Sequence, residues 1–288
     1  MKNFFILTPT FNDWRSLNKV LYEIDKKVSK IKGKFSVIVI NDASTIKPNL
    51  KLKRLKKLKK IIIITNKKNL GSQKSISLGL KYLQNKKTKS IITVIDSDGE
   101  DDPKKIKELI IQAQKNPHSF ISANRLKRKE NIIYNIFYKM HLLITFIMTG
   151  KYIDFGNYSS FNSINLDKLR QNSETYLAYS AAVAKNAKTI KSYYISKKNR
   201  YYGKSKVKLL FLIGHSINII SVFKFRVLKF SILSCMFLIL LNLIAKNLLI
   251  YFIVIFIAIS NVIISYKNKN KLNLKNYLNY IDNIKNYK

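Results

Sequence analysis

The sequence predicts an α/β domain, with helices flanking a sheet, followed by a two-helix transmembrane hairpin. Three observations support this prediction. Short β-branched apolar runs alternate with helical patterns over the first two hundred residues, acidic residues gather directly after one of these runs, and a long segment near the C-terminus carries almost no charge. Apolar residues make up 47% of the 288-residue chain, which is enough for a substantial core.

The short apolar runs are typical of buried strands, because each is rich in β-branched residues and bounded by Asn, Asp, Thr or Lys. They occupy residues 4–7, 36–40, 61–65 and 91–95. Apolar faces at helical spacing lie between them: Leu17, Val20, Leu21 and Ile24; Ile76, Leu80 and Leu83; Ile106, Leu109 and Ile110. Alternation of strand and helix predicts right-handed crossovers and parallel strands with helices on both faces.

Polar residues follow three of these strands, at 8–13, 41–44 and 96–99. Ligands of such sheets bind at the carboxyl ends of the strands, so we expect the three segments to converge on one rim.

The formal net charge of +39 has three explanations: a nucleic-acid partner, an anionic membrane surface, or a coding sequence rich in A and T. The basic segment 51–60 has a leucine at every third position, which favours a short amphipathic helix over a nucleic-acid tract. The single cysteine, Cys235, excludes an intramolecular disulfide and a thiolate metal site. The first apolar run is too short for a signal-peptide core, so we expect a cytoplasmic N-terminal part.

The segment from Phe230 to Tyr266 has Lys246 as its only charge. One helix of this length would be about 55 Å long, against about 30 Å of bilayer hydrocarbon. Two helices near 227–245 and 248–266 fit better, and the alternative is a buried helical pair in a soluble core. Basic residues on both flanks predict that both ends face the cytoplasm: Lys224, Arg226, Lys229, Lys267, Lys269 and Lys271.

These features divide the chain into four parts. Residues 1–206 form the cytoplasmic α/β domain, 207–225 an interfacial amphipathic helix, 226–266 two transmembrane helices, and 267–288 a basic cytoplasmic tail that can form a second surface helix.

The stretch VIDSDGEDDP at 94–103 places five acids within seven positions. Their mutual repulsion calls for a cation. Asp96 and Asp98 follow the fourth strand directly, and paired carboxylates of this kind suit Mg²⁺ or Mn²⁺. The structural alternative is a capped turn in which Asp102 and Pro103 open the next helix.

Four segments resemble, in order and spacing, the family 2 glycosyltransferases: ILTPTFND at 6–13, VIVINDAST at 37–45, NLGSQKSISLGL at 69–80 and VIDSDGEDDP. RYYGKSKVKLLFL at 200–212 is similar to an Arg-x-x-Gly-x-Ser-Lys element of the polyprenyl-phosphate subgroup, the dolichol-phosphate mannosyltransferase and bactoprenyl glucosyltransferase type. The resemblance covers residues 4–265 and implies a GT-A (Rossmann-like) fold with a mixed sheet.

The resemblance also implies roles for the matching positions. Gly71 and Gly79 would let the chain pack close to the nucleotide. The nucleotide-sugar would contact Pro9, Thr10, Asp13, Asp42, Gly71 and Asp96; the metal would be held by Asp96, Asp98 and Glu100, with Asp98 catalytic; the acceptor phosphate would contact Arg125, Arg200, Ser205 and Lys206.

One element departs from the subgroup, which often carries Gly-Asp-Phe-Arg-Leu with its Asp as a candidate base. This chain reads IDFGNYSSFN at 153–162, with Asn157 in place of that Asp and Asp154 three residues away as a catalytic substitute. A phosphate acceptor is already ionised near neutral pH, whereas an alcohol needs proton removal, so the departure favours a phosphate acceptor.

The resemblance therefore implies a Mg²⁺- or Mn²⁺-dependent hexosyltransferase of the cell envelope. It would move a sugar, with inversion, from a UDP- or GDP-sugar to polyprenyl (undecaprenyl or dolichyl) phosphate. We expect a multi-pass protein of the inner membrane with its catalytic domain in the cytoplasm. We also expect homo-oligomers that form through the hairpin, and no nucleic-acid partner. One alternative is a glycosyltransferase acting on a lipid-linked saccharide in polysaccharide or lipopolysaccharide synthesis. Another is a non-catalytic, membrane-tethered polyanion-binding protein.

Overall fold

The structure is a computed structural model that describes residues 2–125, 132–171, 174–203, 209–269 and 272–287. The chain divides into two compact units. The first, called here the α/β unit, comprises Met1–Glu130, Asp154–Lys206 and Leu272–Lys288. The second, called the helical unit, comprises Asn131–Ile153 and Val207–Lys271.

An eight-stranded mixed sheet forms the centre of the α/β unit, in the order β7-β5-β6-β4-β1-β2-β3-β8. Strands β4, β1, β2 and β3 run parallel to one another, β6 is antiparallel to β4 and β5, and β8 is antiparallel to β3. This confirms the predicted fold class. The strands are β1 Asn3–Thr10, β2 Lys34–Asn41, β3 Lys60–Asn66, β4 Ser90–Val94, β5 Ser119–Arg125, β6 Phe155–Asn162, β7 Thr189–Ile195 and β8 Ile281–Tyr287.

Helices cover the sheet with the apolar faces that the sequence predicts, and all ten predicted face residues are buried. The helices of this unit are α1 Trp14–Val28, α2 Ser72–Asn85, α3 Ile106–Lys115, α5 Leu166–Gln171 and α6 Tyr179–Asn186. Gly79 of α2 allows a close approach to β1, because a Cβ there would lie 2.3 Å from Cδ1 of Leu7.

The helical unit contains α4 Ile132–Thr149, α7 Leu209–Val222, α8 Lys224–Ala245 and α9 Leu248–Lys269. Within the described residues, α8 and α9 are the two helices long and apolar enough to cross a membrane. The turn between them lies at Lys246-Asn247, where the sequence predicts it. Lys246 adopts a left-handed conformation, and the side chain of the buried Asn242 accepts a hydrogen bond from the Asn247 amide at 2.7 Å. A side chain of α8 therefore satisfies the first backbone amide of the turn.

Helix α4 is an apolar helix that the sequence analysis does not single out. Its described part exposes Ile136, Phe137, Met140 and Leu143. It belongs to the same unit as α8 and α9.

Two local predictions are wrong. The only helical turn in the basic segment 51–60 is a 3₁₀ turn at Leu52–Arg54, because the carboxylate of Asp25 accepts hydrogen bonds from the amides of residues 56–58 and holds that stretch in a bend. The tail forms a 3₁₀ segment at Leu274–Tyr280 and then β8, instead of a surface helix. Pairing with β8 satisfies backbone groups that β3 would otherwise expose as an edge strand.

Candidate active site

The three polar segments predicted to share a rim lie at the carboxyl ends of β1, β2 and β4, which are neighbours in the sheet. The amide of Asp42 donates to the Thr10 carbonyl at 2.9 Å, and the amide of Ile95 donates to the Leu7 carbonyl at 3.0 Å. The chain segments after the three strands therefore begin side by side. Pro9 and Thr10 end β1, and the hydroxyl of Thr10 is buried with no partner among the described residues.

Asp42 organises the loop that leads into α2. Its Oδ1 accepts from the Leu70 amide and from Nδ2 of Asn66, and its Oδ2 accepts from the Gly71 amide, all at 2.8 Å. The Asp42 carboxylate is thus held between β2 and the first turn of α2.

The acidic stretch faces a basic segment, residues 197–203, which we call the strap. Lys197 pairs with Glu100 and Lys198 with Asp102, each at 2.9 Å. The backbones are joined as well, since the Lys198 amide donates to the Glu100 carbonyl at 2.9 Å and the Tyr201 amide to the Asp98 carbonyl at 3.0 Å. The repulsion within the acidic stretch is therefore offset in large part by cations of the chain itself.

Arg200 of the strap bridges two acids that come from different strand ends. Its Nη2 lies 3.1 Å from Oδ2 of Asp13, and its Nη1 lies 3.4 Å from Oδ2 of Asp98. Its Nε is buried and has no hydrogen-bond partner among the described residues. Asp13 also caps α1, accepting from the Ser16 amide. The Nε–H of Arg200 is thus a donor that an oxygen ligand could use.

Burial raises the pKa of Asp98 above its usual value. The Glu100 amide, which donates to Oδ1 of Asp98 at 3.0 Å, and the charge of Arg200 oppose this rise. Burial and the charge of Arg200 therefore act in opposite directions on the ionised form of Asp98.

Two aromatic rings of the strap, Tyr201 and Tyr202, pack against residues outside the strap. The Tyr201 ring lies against Gly99, where a Cβ would come within 2.5 Å of the ring. Nζ of Lys19 lies 4.2 Å from the Tyr201 ring centre, and the Arg15 guanidinium lies 3.8 Å from the ring centre of Tyr202. Burial raises the pKa of Tyr201 to about 12, so this ring is neutral at physiological pH.

Asp96 has a different environment from Asp98. Both of its carboxylate oxygens accept from Nδ2 of Asn157 at 3.2 Å. Oδ1 of Asn157 in turn accepts from Nε2 of Gln73 at 3.2 Å. An amide, and not a second carboxylate, therefore stands beside Asp96.

Asp154, the other candidate near the start of β6, contacts Asn124. Nδ2 of Asn124 donates to Oδ1 of Asp154 at 2.7 Å. Burial raises the pKa of Asp154 above the usual aspartate value, and the hydrogen bond only partly opposes this effect.

The donor set for a cation consists of the Asp96 and Asp98 carboxylates at the end of β4. Across the described ranges, no group of three or more His, Cys, Asp and Glu side chains is arranged to hold a metal ion. The Glu100 carboxylate is engaged by Lys197. Two carboxylates suit Mg²⁺ or Mn²⁺ when substrate phosphates and water complete the coordination, so the residues present fit such an ion.

The remaining predicted residues lie at the edges of the described chain. Arg125 ends β5. Ser205 and Lys206 lie outside the described residues. Sequence reasoning missed Gln73 as a participant in the site. It also did not foresee that Lys197 and Lys198 pair with acids of the site. The sequence does contain a signal for the two lysines. Three cations lie close together at 197, 198 and 200, and three acids that they can pair with lie close together at 98, 100 and 102.

Comparison with known proteins gives a family and a fold. The model of the glycosyl transferase family 2 matches residues 5–181, well over half of the chain. The comparison with curated proteins finds no match.

Two solved structures with TM-scores of 0.50 or above show the similarity of fold, and a third with a lower score is included for its higher sequence identity. A mycobacterial protein has a TM-score of 0.53 and 11% identity over 78% of this chain and 74% of its own. Glucosyl-3-phosphoglycerate synthase from Mycobacterium tuberculosis, in complex with Mn²⁺, UDP-glucose and phosphoglyceric acid, has a TM-score of 0.50 and 10% identity over 78% and 80%. S. aureus TarS 1-349, in complex with UDP-GlcNAc, has a TM-score of 0.47 and 16% identity over 80% and 70%.

The rim at the carboxyl ends of β1, β2 and β4, its paired aspartates and the family match over these same strands agree with one another. The chain belongs to glycosyl transferase family 2 and is a glycosyltransferase that uses a nucleotide-sugar donor.

Proposed function

We propose that this enzyme transfers a hexose, with inversion, from a UDP- or GDP-sugar to polyprenyl phosphate at the cytoplasmic face of the inner membrane. The observation that carries the proposal is the environment of Arg200. This residue binds Asp13 and Asp98 and keeps a buried Nε donor without a partner among the described residues. A buried guanidinium donor of this kind is suited to a phosphate oxygen.

The donor half of the site rests on Asp96 and Asp98. Together they would hold Mg²⁺ or Mn²⁺, which neutralises charge on the diphosphate leaving group when bound. Thr10, Asp13 and Asp42 lie at the neighbouring strand ends, where the nucleotide would bind. Positioning and electrostatic stabilisation supply most of the rate in a transfer of this type.

The acceptor half rests on the absence of a base at position 157. The Asn157 amide cannot take a proton, and it donates to Asp96. An acceptor phosphate is ionised near neutral pH and attacks the sugar without proton removal. Arg200, together with Arg125, Ser205 and Lys206, would hold that phosphate.

The membrane location rests on α8 and α9, which are long and apolar enough to cross a bilayer, and on the basic residues at both flanks. Residues 1–206 would form the cytoplasmic catalytic domain, 207–225 an interfacial helix and 226–266 the membrane hairpin. The last described residues, 272–287, complete the catalytic sheet and extend the cytoplasmic domain. Self-association through the hairpin is part of the proposal.

A second candidate is transfer to a hydroxyl of a lipid-linked saccharide, and the observation that favours it is Asp154. Burial raises the pKa of this carboxyl, which moves it toward the range of a general base. Family membership supports an enzyme, so a non-catalytic polyanion-binding protein is not retained.

The test uses membranes that contain the full-length protein, Mn²⁺ or Mg²⁺, and radiolabelled UDP- and GDP-hexoses. Label in the organic extract that mild acid releases as free sugar supports a polyprenyl phosphate acceptor. Label that mild acid releases within a lengthened saccharide, instead of as free sugar, supports the second candidate. Membranes with Asp98→Asn serve as the control and are expected to give no labelled product.

A further inference from the structure

Three hydrogen-bonding groups in series connect the start of α6 to Asp96. The Tyr179 amide donates to Oε1 of Gln73 at 2.7 Å. Nε2 of Gln73 donates to Oδ1 of Asn157 at 3.2 Å, and Nδ2 of Asn157 donates to both oxygens of Asp96 at 3.2 Å. We call this series the amide relay. All of its members are in the α/β unit.

One backbone group determines the direction of the whole relay. A backbone N–H can only donate, so the Gln73 atom that faces the Tyr179 amide must be the oxygen. The nitrogen of Gln73 then faces Asn157, which must present its own oxygen. The nitrogen of Asn157 is left to face Asp96. The orientations of the Gln73 and Asn157 side-chain amides therefore follow from the Tyr179 backbone N–H at the start of α6. Without such a fixed donor, the oxygen and nitrogen of a side-chain amide can only be assigned from the hydrogen-bond network.

We infer that Gln73 is a positioning residue of the transferase: it holds Asn157 with its NH₂ group toward Asp96 and thereby fixes the Asp96 carboxylate for the metal–nucleotide complex. This inference rests on the donor site of the proposed function. A donor shared by both oxygens holds the plane of a carboxylate, whereas an acceptor in the same place would repel it. Gln73 acts through Asn157, without contacting a substrate itself.

The substitution Gln73→Glu conserves side-chain volume and reverses the donor and acceptor roles along the relay. In Gln73→Glu, one carboxylate oxygen still accepts from the Tyr179 amide, and the new negative charge lies at the N-terminus of α6, where it is favourable. The other oxygen replaces the donor that faced Asn157. Asn157 then has to turn its NH₂ group toward residue 73 and its oxygen toward Asp96. The fold is kept while the contact with Asp96 changes from attraction to repulsion.

The measurement is the dissociation constant of Mn²⁺–UDP and of Mn²⁺–GDP, by calorimetry on the full-length protein in detergent. For the nucleotide that the wild type binds, Gln73→Glu is expected to weaken binding by about tenfold or more, the effect of losing a hydrogen bond to a charged group. In the transfer reaction, KM for the donor is expected to rise more than kcat falls. The unfolding temperature is expected to stay near that of the wild type.

Two further variants test whether Gln73 acts through Asn157. In an Asn157→Ala background, Gln73→Glu is expected to change binding by less than about twofold, because the coupled partner is gone. The matched control is Gln84→Glu, the same exchange on the same helix, which breaks only the hydrogen bond from Gln84 to the Leu166 carbonyl. It is expected to leave binding unchanged.

The outcomes separate the inference from the proposed function. Binding by Gln73→Glu equal to that of the wild type, or an equal loss with and without Asn157, overturns the amide relay while the donor site stands. A wild type that binds neither Mn²⁺–UDP nor Mn²⁺–GDP overturns the donor site, and the relay with it.

Discussion

Nη1 of Arg200 lies 3.4 Å from Oδ2 of Asp98, so a strap residue occupies an oxygen that a divalent cation would also use. The same guanidinium reaches Asp13 at 3.1 Å. A metal ion that binds Asp98 therefore competes with Arg200. The arginine released by this competition would have its donors available for phosphate.

The competition predicts opposite effects of Arg200→Met on metal binding and on transfer. Without the guanidinium, Mn²⁺ alone is expected to bind about fivefold more tightly, the factor for about 1 kcal/mol of ion-pair energy. Transfer to lipid phosphate is expected to fall at least about tenfold, because a charged hydrogen bond is lost. Mn²⁺ titration followed by electron paramagnetic resonance measures the first effect. Arg54→Met, an exposed arginine outside the site, is the control; equal metal affinity of wild type and Arg200→Met would contradict the competition.

Two aspartates of the acidic stretch, Asp98 and Asp102, are expected to respond differently when their charge is removed. Asp98→Asn keeps an acceptor for the Glu100 amide but removes the charge, so transfer should fall by roughly 10³-fold while the fold is kept. Asp102→Asn keeps the cap on Lys104 and loses only the pair with Lys198, so activity should persist and stability should fall by less than about 1 kcal/mol. Initial rates with saturating donor and thermal unfolding check both. A fully active Asp98→Asn enzyme is incompatible with a metal role.

The pH dependence of stability is expected to reflect the half-buried carboxyl of Asp154. Because its folded-state pKa is raised, its ionised form opposes folding. The effect is absent well below pH 4, where both states are protonated, and it begins as the pH rises through the unfolded-state pKa of about 3.9. It grows as the pH rises and is complete above the raised pKa.

Asp154→Asn keeps the acceptor for Asn124 and should therefore remove this loss of stability. Unfolding temperatures between pH 4 and 8 measure the change, with exposed Asp282→Asn as the control. Parallel curves for wild type and Asp154→Asn would show that burial does not disfavour the charge.

The contact between Tyr201 and Gly99 is expected to determine whether the strap stays seated. In Gly99→Ala, the new Cβ would lie 2.5 Å from the ring, and the φ of +83° adds backbone strain. Gly203→Ala carries similar strain, at φ +73°, but among the described residues no atom lies within 4 Å of the new Cβ. We expect Gly99→Ala alone to lower transfer and to increase proteolysis within the strap. Equal behaviour of the two variants would show that the ring contact has no role.

Strand β8 is expected to contribute to the stability of the α/β unit through Ile281. This side chain is 7% exposed, whereas Ile284 on the same strand is 38% exposed. Ile281→Ala should lower the free energy of unfolding by about 2 kcal/mol and Ile284→Ala by about 0.5 kcal/mol. Denaturant unfolding in detergent gives both values. If the two losses are the same, the strand does not pair as described.

The sequence is sufficient to predict the parallel half of the sheet. The apolar runs in β1 to β4 are short and β-branched, and each helix between them has one apolar face, so local pattern and packing agree. The hairpin turn is predictable for a similar reason, because Lys246 is the only charge in a long apolar segment.

The antiparallel strands and the polar contacts of the site depend on partners distant in sequence. β8 has an apolar residue at every third position, Ile281, Ile284 and Tyr287, which fits a surface helix as well as an edge strand. Only the available edge of β3 distinguishes the two. Gln73 lies in a polar first turn of α2, and nothing local shows that it meets Asn157. The pairing of the strap with the acids likewise depends on the register between two loops.

The return of the chain to the sheet at β8 restricts how the protein can be threaded through a bilayer. Residues 189–195 and 281–287 are strands of one sheet, and everything between them leaves that sheet and comes back. If α8 and α9 cross a bilayer, the segment between these two strands must therefore cross it an even number of times. If only one of the two helices crossed the bilayer, β8 would lie on the opposite side from β3 and could not pair with it.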